Sequence, residues 1–113
     1  MSNLRNSVRL TGHLGADPEI KILGESKKLA KVSIATSDSY KNDKGEKIEE
    51  TQWHNLILWD GLATIAENYL HKGSEVCVEG KLSTRSYTDK EGAKRYITEI
   101  LVSEVLMLGK KVG

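Results

Sequence analysis

Apolar and polar side chains alternate with a period of two through most of this 113-residue chain. That period predicts strands with one buried face, because a buried helix face needs apolar residues at a spacing of about 3.6. It predicts five strands, at residues 4–14, 29–36, 51–59, 75–88 and 94–108. The helical spacing occurs once, from Leu62 to Leu70, with Asp60 as the expected N-cap and Gly73 as the expected C′ residue. The sequence therefore indicates an all-β fold with one helix between the third and fourth strands.

This order of elements is that of the OB-fold, a five-stranded Greek-key barrel whose one face and long loops bind oligonucleotides or sugars. We expect the OB-fold to span residues 1–109, followed by a short C-terminal extension at 110–113. Residues 41–47 are polar and have no period, which predicts a mobile loop between the second and third strands. The residues expected to face the core in the helix and the fourth strand are Leu62, Ile65, Ala66, Tyr69, Leu70, Val76, Val78, Gly80 and Leu82.

Composition excludes several classes of protein. Seventeen basic residues against sixteen acidic ones give a net charge of +1, so any binding of a polyanion depends on local placement rather than on bulk charge. The single cysteine, Cys77, excludes a disulfide framework and a multi-cysteine zinc site. No apolar run approaches the roughly 20 residues of a membrane span, and no signal-peptide core is visible. We therefore expect a soluble, cytoplasmic protein.

The two tryptophans and four tyrosines are few enough for their positions to be informative. Alternation points Trp53, Trp59 and Tyr87 away from the core, and Tyr40 lies where the second strand meets the predicted loop. Exposed rings beside cations form the kind of surface on which single-stranded nucleic acid stacks. The cations interleaved with these rings are Lys31, Lys41, Lys81 and Arg85. From the residues alone, nucleic-acid binding, sugar binding, and packing in the core or against another subunit all remain open.

Five segments resemble, in order and spacing, the bacterial single-stranded DNA-binding protein family. They are Thr11–Glu19, Ser33–Tyr40, Glu50–Trp59, Tyr69–Gly80 and Thr84–Tyr96. The resemblance covers residues 4–108 and implies a homotetramer of OB-folds that binds single-stranded DNA without sequence preference in replication, recombination and repair. It also implies that bases stack on Tyr40, Trp53, Trp59 and Tyr87.

The same resemblance extends to cations and to subunit contacts. It implies phosphate contacts by Lys31, Lys41, Lys72, Arg85 and Arg95, whereas Asn55 and Gly61 stand where relatives often have basic side chains. Subunit contacts are expected at His54, by analogy with relatives, and at the outward position of Cys77. Replication and repair enzymes are expected as partners only if the native chain carries the acidic C-terminal tail of the family.

Catalysis is not supported by the sequence. His13, His54 and His71 lack metal-ligand spacing, and no nucleophile triad, phosphate loop or carboxylate cluster is present. We therefore expect neither a cofactor nor a metal ion. The rival to a DNA-binding protein is an adaptor OB-module of the replication machinery, whose exposed rings would contact other proteins and which would bind poly-dT weakly or not at all.

Overall fold

The computed structural model describes residues 5–108. The strands are β1 (Val8–Leu14), β2 (Glu19–Leu23), β3 (Lys27–Lys41), β4 (Lys47–Trp59), β5 (Glu75–Thr88) and β6 (Lys94–Met107), and the helix is α1 (Gly61–Tyr69). Leu4, which was assigned to the first predicted strand, and the predicted extension at 110–113 lie outside the described residues.

The first two strands act as two parts of one interrupted barrel strand. The end of β1 pairs with β3, where Leu14 opposes Ile34, and β2 continues along β3, where Glu19 opposes Lys31. The pairing of β1 with β3 closes the ring β1-β5-β6-β4-β3, in which β4 and β6 run parallel. This closed five-stranded barrel with one helix confirms the predicted OB-fold.

The core lies inside the barrel, on the face that the alternation predicted. Burying an aliphatic side chain stabilises a fold by about 1.5–3 kcal/mol, so these positions decide stability. The largest fully buried side chains are Ile34, Leu56, Leu58, Val76 and Val78. The helix α1 packs against β3 and β4 and adds Ala63, Ala66 and Leu70 to the same cluster.

The ends of the helix differ from the prediction. Asp60 does stand at the N-cap position, but its side chain makes no cap hydrogen bond. Its Oδ1 instead accepts a hydrogen bond from the Lys28 backbone N–H at 3.2 Å, so this carboxylate ties the helix start to β3. The helix ends at Tyr69, and Gly73 lies in the following turn, where its N–H donates to the Leu14 carbonyl at 2.9 Å.

The buried stripe of the helix is also shifted. Tyr69 is exposed rather than buried, and Ala63 occupies the core in its place. Ala63, Ala66 and Leu70 form the buried stripe with a spacing of i, i+3 and i+7, and Tyr69 lies at the flank of this stripe, where its ring stays exposed.

Two segments are more regular than the sequence predicted. The predicted loop at 41–47 is instead a tight hairpin turn, because β3 and β4 pair as far as Lys41 and Lys47. β2 was not predicted at all. It is a short edge strand with an exposed Ile22, so it lacks the strong burial pattern that identified the other strands.

Leu82 is the remaining correction, since it was expected to face the core and is half exposed. Beyond Gly80, β5 no longer pairs with β1, so Leu82 lies where β5 has lost this neighbour, although its partner Ile100 still pairs with β4. Past that pair, β5 and β6 continue outward as a two-stranded ribbon. Gly80 itself marks a close approach of strands, because a β-carbon there would lie 2.9 Å from the carbonyl carbon of Leu101.

Candidate nucleic-acid interface

An open groove crosses the outer face of the barrel, over five neighbouring strands. It has two connected parts, of about 470 Å³ and about 270 Å³, which share Lys31, Ile57, Arg85 and Glu99. The larger part has a mainly apolar lining, contributed by Leu23, Leu29, Ile57, Trp59 and Leu101. An apolar floor with charged groups above it suits a ligand that has flat apolar faces and an anionic backbone.

Trp53 and Trp59 lie on the outer face of β4, on the side opposite the buried Leu56 and Leu58. Their exposed fractions are 61% and 38%, so neither ring belongs to the core. Six residues of extended strand separate them, which is about 20 Å. Trp59 lines the larger part of the groove, and Trp53 lies farther along the same strand.

Gly15 supports the ring of Trp53. A β-carbon on Gly15 would lie 2.7 Å from Cη2 of Trp53, so the indole rests directly against the glycine backbone. The Gly15 N–H donates to the Ser33 carbonyl at 3.0 Å, which fixes that backbone relative to β3.

The two predicted tyrosines are placed differently from each other. Tyr87 is half exposed on the same face of β5 as Arg85, in line with the outward position predicted for it. Tyr40 is also half exposed, but it pairs with Ile48 on the ribbon that β3 and β4 form. That pair is five pairs beyond the one containing Trp53, or about 17 Å along the strands. Strand alternation also assigns Tyr40 to the opposite face of that ribbon.

Two of the five predicted phosphate-binding cations are held by carboxylates. Arg85 donates from Nε to Oε1 of Glu99 at 2.9 Å and from Nη2 to Oε2 at 3.3 Å. The hydrogen bond to Glu99 raises the pKa of Arg85 above its ordinary value. Arg95 donates from Nε to Asp89 at 2.9 Å, and this bond is the main cause of the lowered pKa of Asp89.

The three predicted lysines are less constrained. Lys31 lines both parts of the groove, and Lys41 and Lys72 are exposed. Within residues 5–108, none of the three forms an ion pair. Their ammonium groups are therefore available to an anionic ligand without first breaking an internal contact.

The two residues predicted at subunit contacts lie away from the groove. His54 is half buried, with Nε2 at 2.9 Å from Oγ1 of Thr36. Cys77 has a free, half-buried thiol on the outer face of β5, between Thr11 of β1 and Leu106 of β6. Leu106 is 61% exposed, so this face carries apolar surface.

Glu99 is the groove residue that sequence analysis missed. It is 7% exposed, although its position in β6 is on the outward face. Side chains of neighbouring strands cover it, and a pattern read along one strand carries no signal of such burial. Within residues 5–108 no three metal-ligating side chains gather, and no helix there is long and apolar enough to cross a membrane.

The fold and the groove together define an OB-fold protein with a ring-bearing outer surface. Sequence comparison then identifies the family. The model of the single-strand binding protein family matches residues 5–108, so the chain belongs to that family, as its motifs indicated. It is a family of binding proteins, and the chain is not an enzyme.

Two curated relatives are both named single-stranded DNA-binding protein 1. The one from Xylella fastidiosa is 49% identical and the one from Chlorobaculum tepidum 43% identical, each over 107 residues. These alignments cover 94% of this chain, but only 79% and 66% of the respective relatives.

Two solved structures share the fold. An SSB from Plasmodium falciparum, in complex with ssDNA, superposes with a TM-score of 0.84 at 32% identity and covers 92% of this chain and 95% of that one. A deletion mutant of the single-stranded DNA binding protein from Thermus aquaticus has a TM-score of 0.80 at 24% identity, over 94% of this chain and 51% of that one. The second likeness concerns the fold alone.

Proposed function

We propose that this protein binds single-stranded DNA without sequence preference, through the groove on the outer face of the barrel. The observation that carries the proposal is the exposure of Trp53 and Trp59 on one outer strand face, beside the cation Lys31. Bases of any sequence stack on such rings, because every base has a π-face. Tyr40 and Tyr87 complete the proposed set of stacking residues, and residues 1–109 form the proposed binding domain.

Titration with oligo-dT tests this function against the adaptor alternative. We expect tight binding of oligo-dT at moderate salt, much weaker binding of a duplex of equal length, and quenching of tryptophan emission as bases stack. An adaptor protein would leave the tryptophan emission unchanged and would bind oligo-dT weakly or not at all.

Five basic residues are the proposed phosphate contacts, and the structure divides them into two kinds. The unpaired lysines should dominate the salt dependence of binding, because each neutralised phosphate of a single strand contributes about −0.7 to the slope of log K against log salt. The two arginines should contribute less, because the carboxylates of Glu99 and Asp89 cancel part of their charge. The proposed contacts are Lys31, Lys41, Lys72, Arg85 and Arg95.

Replacing Lys31 or Lys41 by glutamine should therefore flatten the salt slope by about 0.7 per bound subunit. The measurement is oligo-dT affinity at a series of salt concentrations. Lys28→Gln is the matched control, because Lys28 is held at 2.7 Å by Glu67 of the helix and lines neither part of the groove. If both lysine variants keep the wild-type slope while binding DNA, the phosphate track lies elsewhere.

We also propose a homotetramer, with His54 and Cys77 at subunit contacts. Supporting observations are the exposed Leu106 beside Cys77 and the half-buried position of His54. Analytical ultracentrifugation at micromolar concentration should give four times the 12.5 kDa of the chain. A monomer mass under those conditions would contradict the proposal.

The proposed cellular role follows from the proposed ligand. A sequence-tolerant binder of single strands serves replication, recombination and repair, each of which exposes such strands. We propose a cytoplasmic, nucleoid-associated location for the protein. Partner enzymes of these processes are proposed only for a form of the protein that carries an acidic C-terminal tail.

A further inference from the structure

A buried carboxylate lies in the middle of the groove. Glu99 is 7% exposed and lines both parts of the groove, and both of its oxygens accept hydrogen bonds from Arg85. A carboxylate that loses this much water needs a compensating partner. Here the partner is a half-exposed arginine at the groove surface.

The contact fixes the plane of the Arg85 guanidinium. A guanidinium has five N–H donors in a rigid fork, and the two bonds to Glu99 use two of them. Within residues 5–108, the Arg85 side chain donates no other hydrogen bond, so three guanidinium donors remain for a ligand. A free arginine in an open groove would sample many rotamers, whereas this one presents its remaining donors from one orientation.

The charges of the groove argue against a purely electrostatic role for the pair. Three cations and three carboxylates line it: Lys21, Lys31, Arg85, Asp17, Glu19 and Glu99. Attraction of a polyanion would be stronger without Glu99, because this residue cancels charge at the centre of the groove. A carboxylate at this place therefore needs another explanation.

We propose that Glu99 is a positioning residue for single-stranded DNA, which holds Arg85 so that its free N–H donors meet an acceptor oxygen of the bound strand. The proposal rests on the proposed function, and the oxygen belongs either to a base or to a phosphate. The orientation of Arg85 then matters more for DNA affinity than the net charge of the groove. Removing the negative charge of Glu99 should therefore weaken binding, whereas simple charge attraction would strengthen it.

The test is Glu99→Gln, which keeps the shape of the side chain, adds one unit of positive charge and breaks the two-bond contact. We expect oligo-dT affinity to fall about tenfold, near the lower end for one charge-assisted hydrogen bond. In an Arg85→Gln background the same replacement should cause no further loss, because Glu99 acts through Arg85. Glu67→Gln is the control, since it breaks an ion pair with Lys28 and adds the same charge outside the groove.

Arg85→Lys gives a second reading that does not depend on the stability of the Glu99 variant. It keeps the charge but loses the planar fork, so affinity should fall by a similar factor. A strand of deoxyribose phosphates without bases identifies the oxygen. The loss caused by Glu99→Gln persists with that strand if the oxygen is a phosphate's and vanishes if it is a base's.

Failure of the proposed function and failure of the positioning role give different results. If the wild-type protein does not bind oligo-dT, the proposed function is wrong and this inference falls with it. If the wild type binds and Glu99→Gln binds equally well or more tightly, with a steeper salt slope, Glu99 only cancels charge and the positioning role is wrong. Wild-type affinity in Arg85→Lys would overturn it in the same way.

Discussion

Replacing Trp53 or Trp59 by alanine is expected to weaken binding of oligo-dT about 5- to 150-fold, because each stacked base contributes about 1–3 kcal/mol. The melting temperature should change little, since both rings stand outside the barrel, with exposed fractions of 61% and 38%. Fluorescence titration measures the affinity, using the tryptophan that remains in each variant, and thermal unfolding measures the stability.

Tyr69→Ala is the matched control for these variants. Tyr69 is 63% exposed on the helix, away from the groove, so its removal deletes a comparable exposed ring without touching the proposed site. Leu58→Ala gives the opposite pattern, a loss of about 2–5 kcal/mol of stability from a buried position. If the tryptophan variants melt like Leu58→Ala and their folded fraction binds like wild type, the rings are structural and the binding face lies elsewhere.

The barrel was predictable because its strands have one buried face. On β4, the alternation of Trp53 and Trp59 with Leu56 and Leu58 assigned each side chain to the correct side of the sheet. A shift of one residue would have reversed every assignment, so the agreement tests the whole strand rather than single positions. The motifs then supplied the family, which the matching of residues 5–108 confirms.

Features that depend on contacts between strands were not predictable from a single strand. Leu82 obeys the inward parity of β5 but lies beyond the last pair that β5 forms with β1, and parity carries no information on where a strand loses a neighbour. The burial of Glu99 has the same origin, because neighbouring strands cover it. The predicted N-cap hydrogen bond of Asp60 is a local failure, because its carboxylate accepts from the backbone N–H of Lys28 instead of from an N–H of the helix.

The candidate site was predicted as a set of residue types rather than as a geometry. Trp59, Lys31 and Arg85 do line one groove. Tyr40 lies apart on the ribbon, where a bound strand would have to extend well beyond the barrel to reach it. The pairing of Arg85 with Glu99 changes what that arginine offers, from a mobile charge to an oriented set of donors.

The last prediction concerns Gly15, whose backbone supports the indole of Trp53. An alanine β-carbon would lie 2.7 Å from Cη2 of that ring, too close for any real contact, so the exposed indole must move. Since the ring is free to swing outward, the fold should tolerate Gly15→Ala while the stacking surface is lost. We expect oligo-dT affinity to fall at least about fivefold, the lower end for one stacked base. The double variant with Trp53→Ala should bind no worse than Trp53→Ala alone, because both changes remove the same contact. Gly61→Ala is the control, as a β-carbon there meets no atom within 4 Å. Wild-type affinity in Gly15→Ala, or full additivity in the double variant, would show that the position of the Trp53 ring does not depend on Gly15.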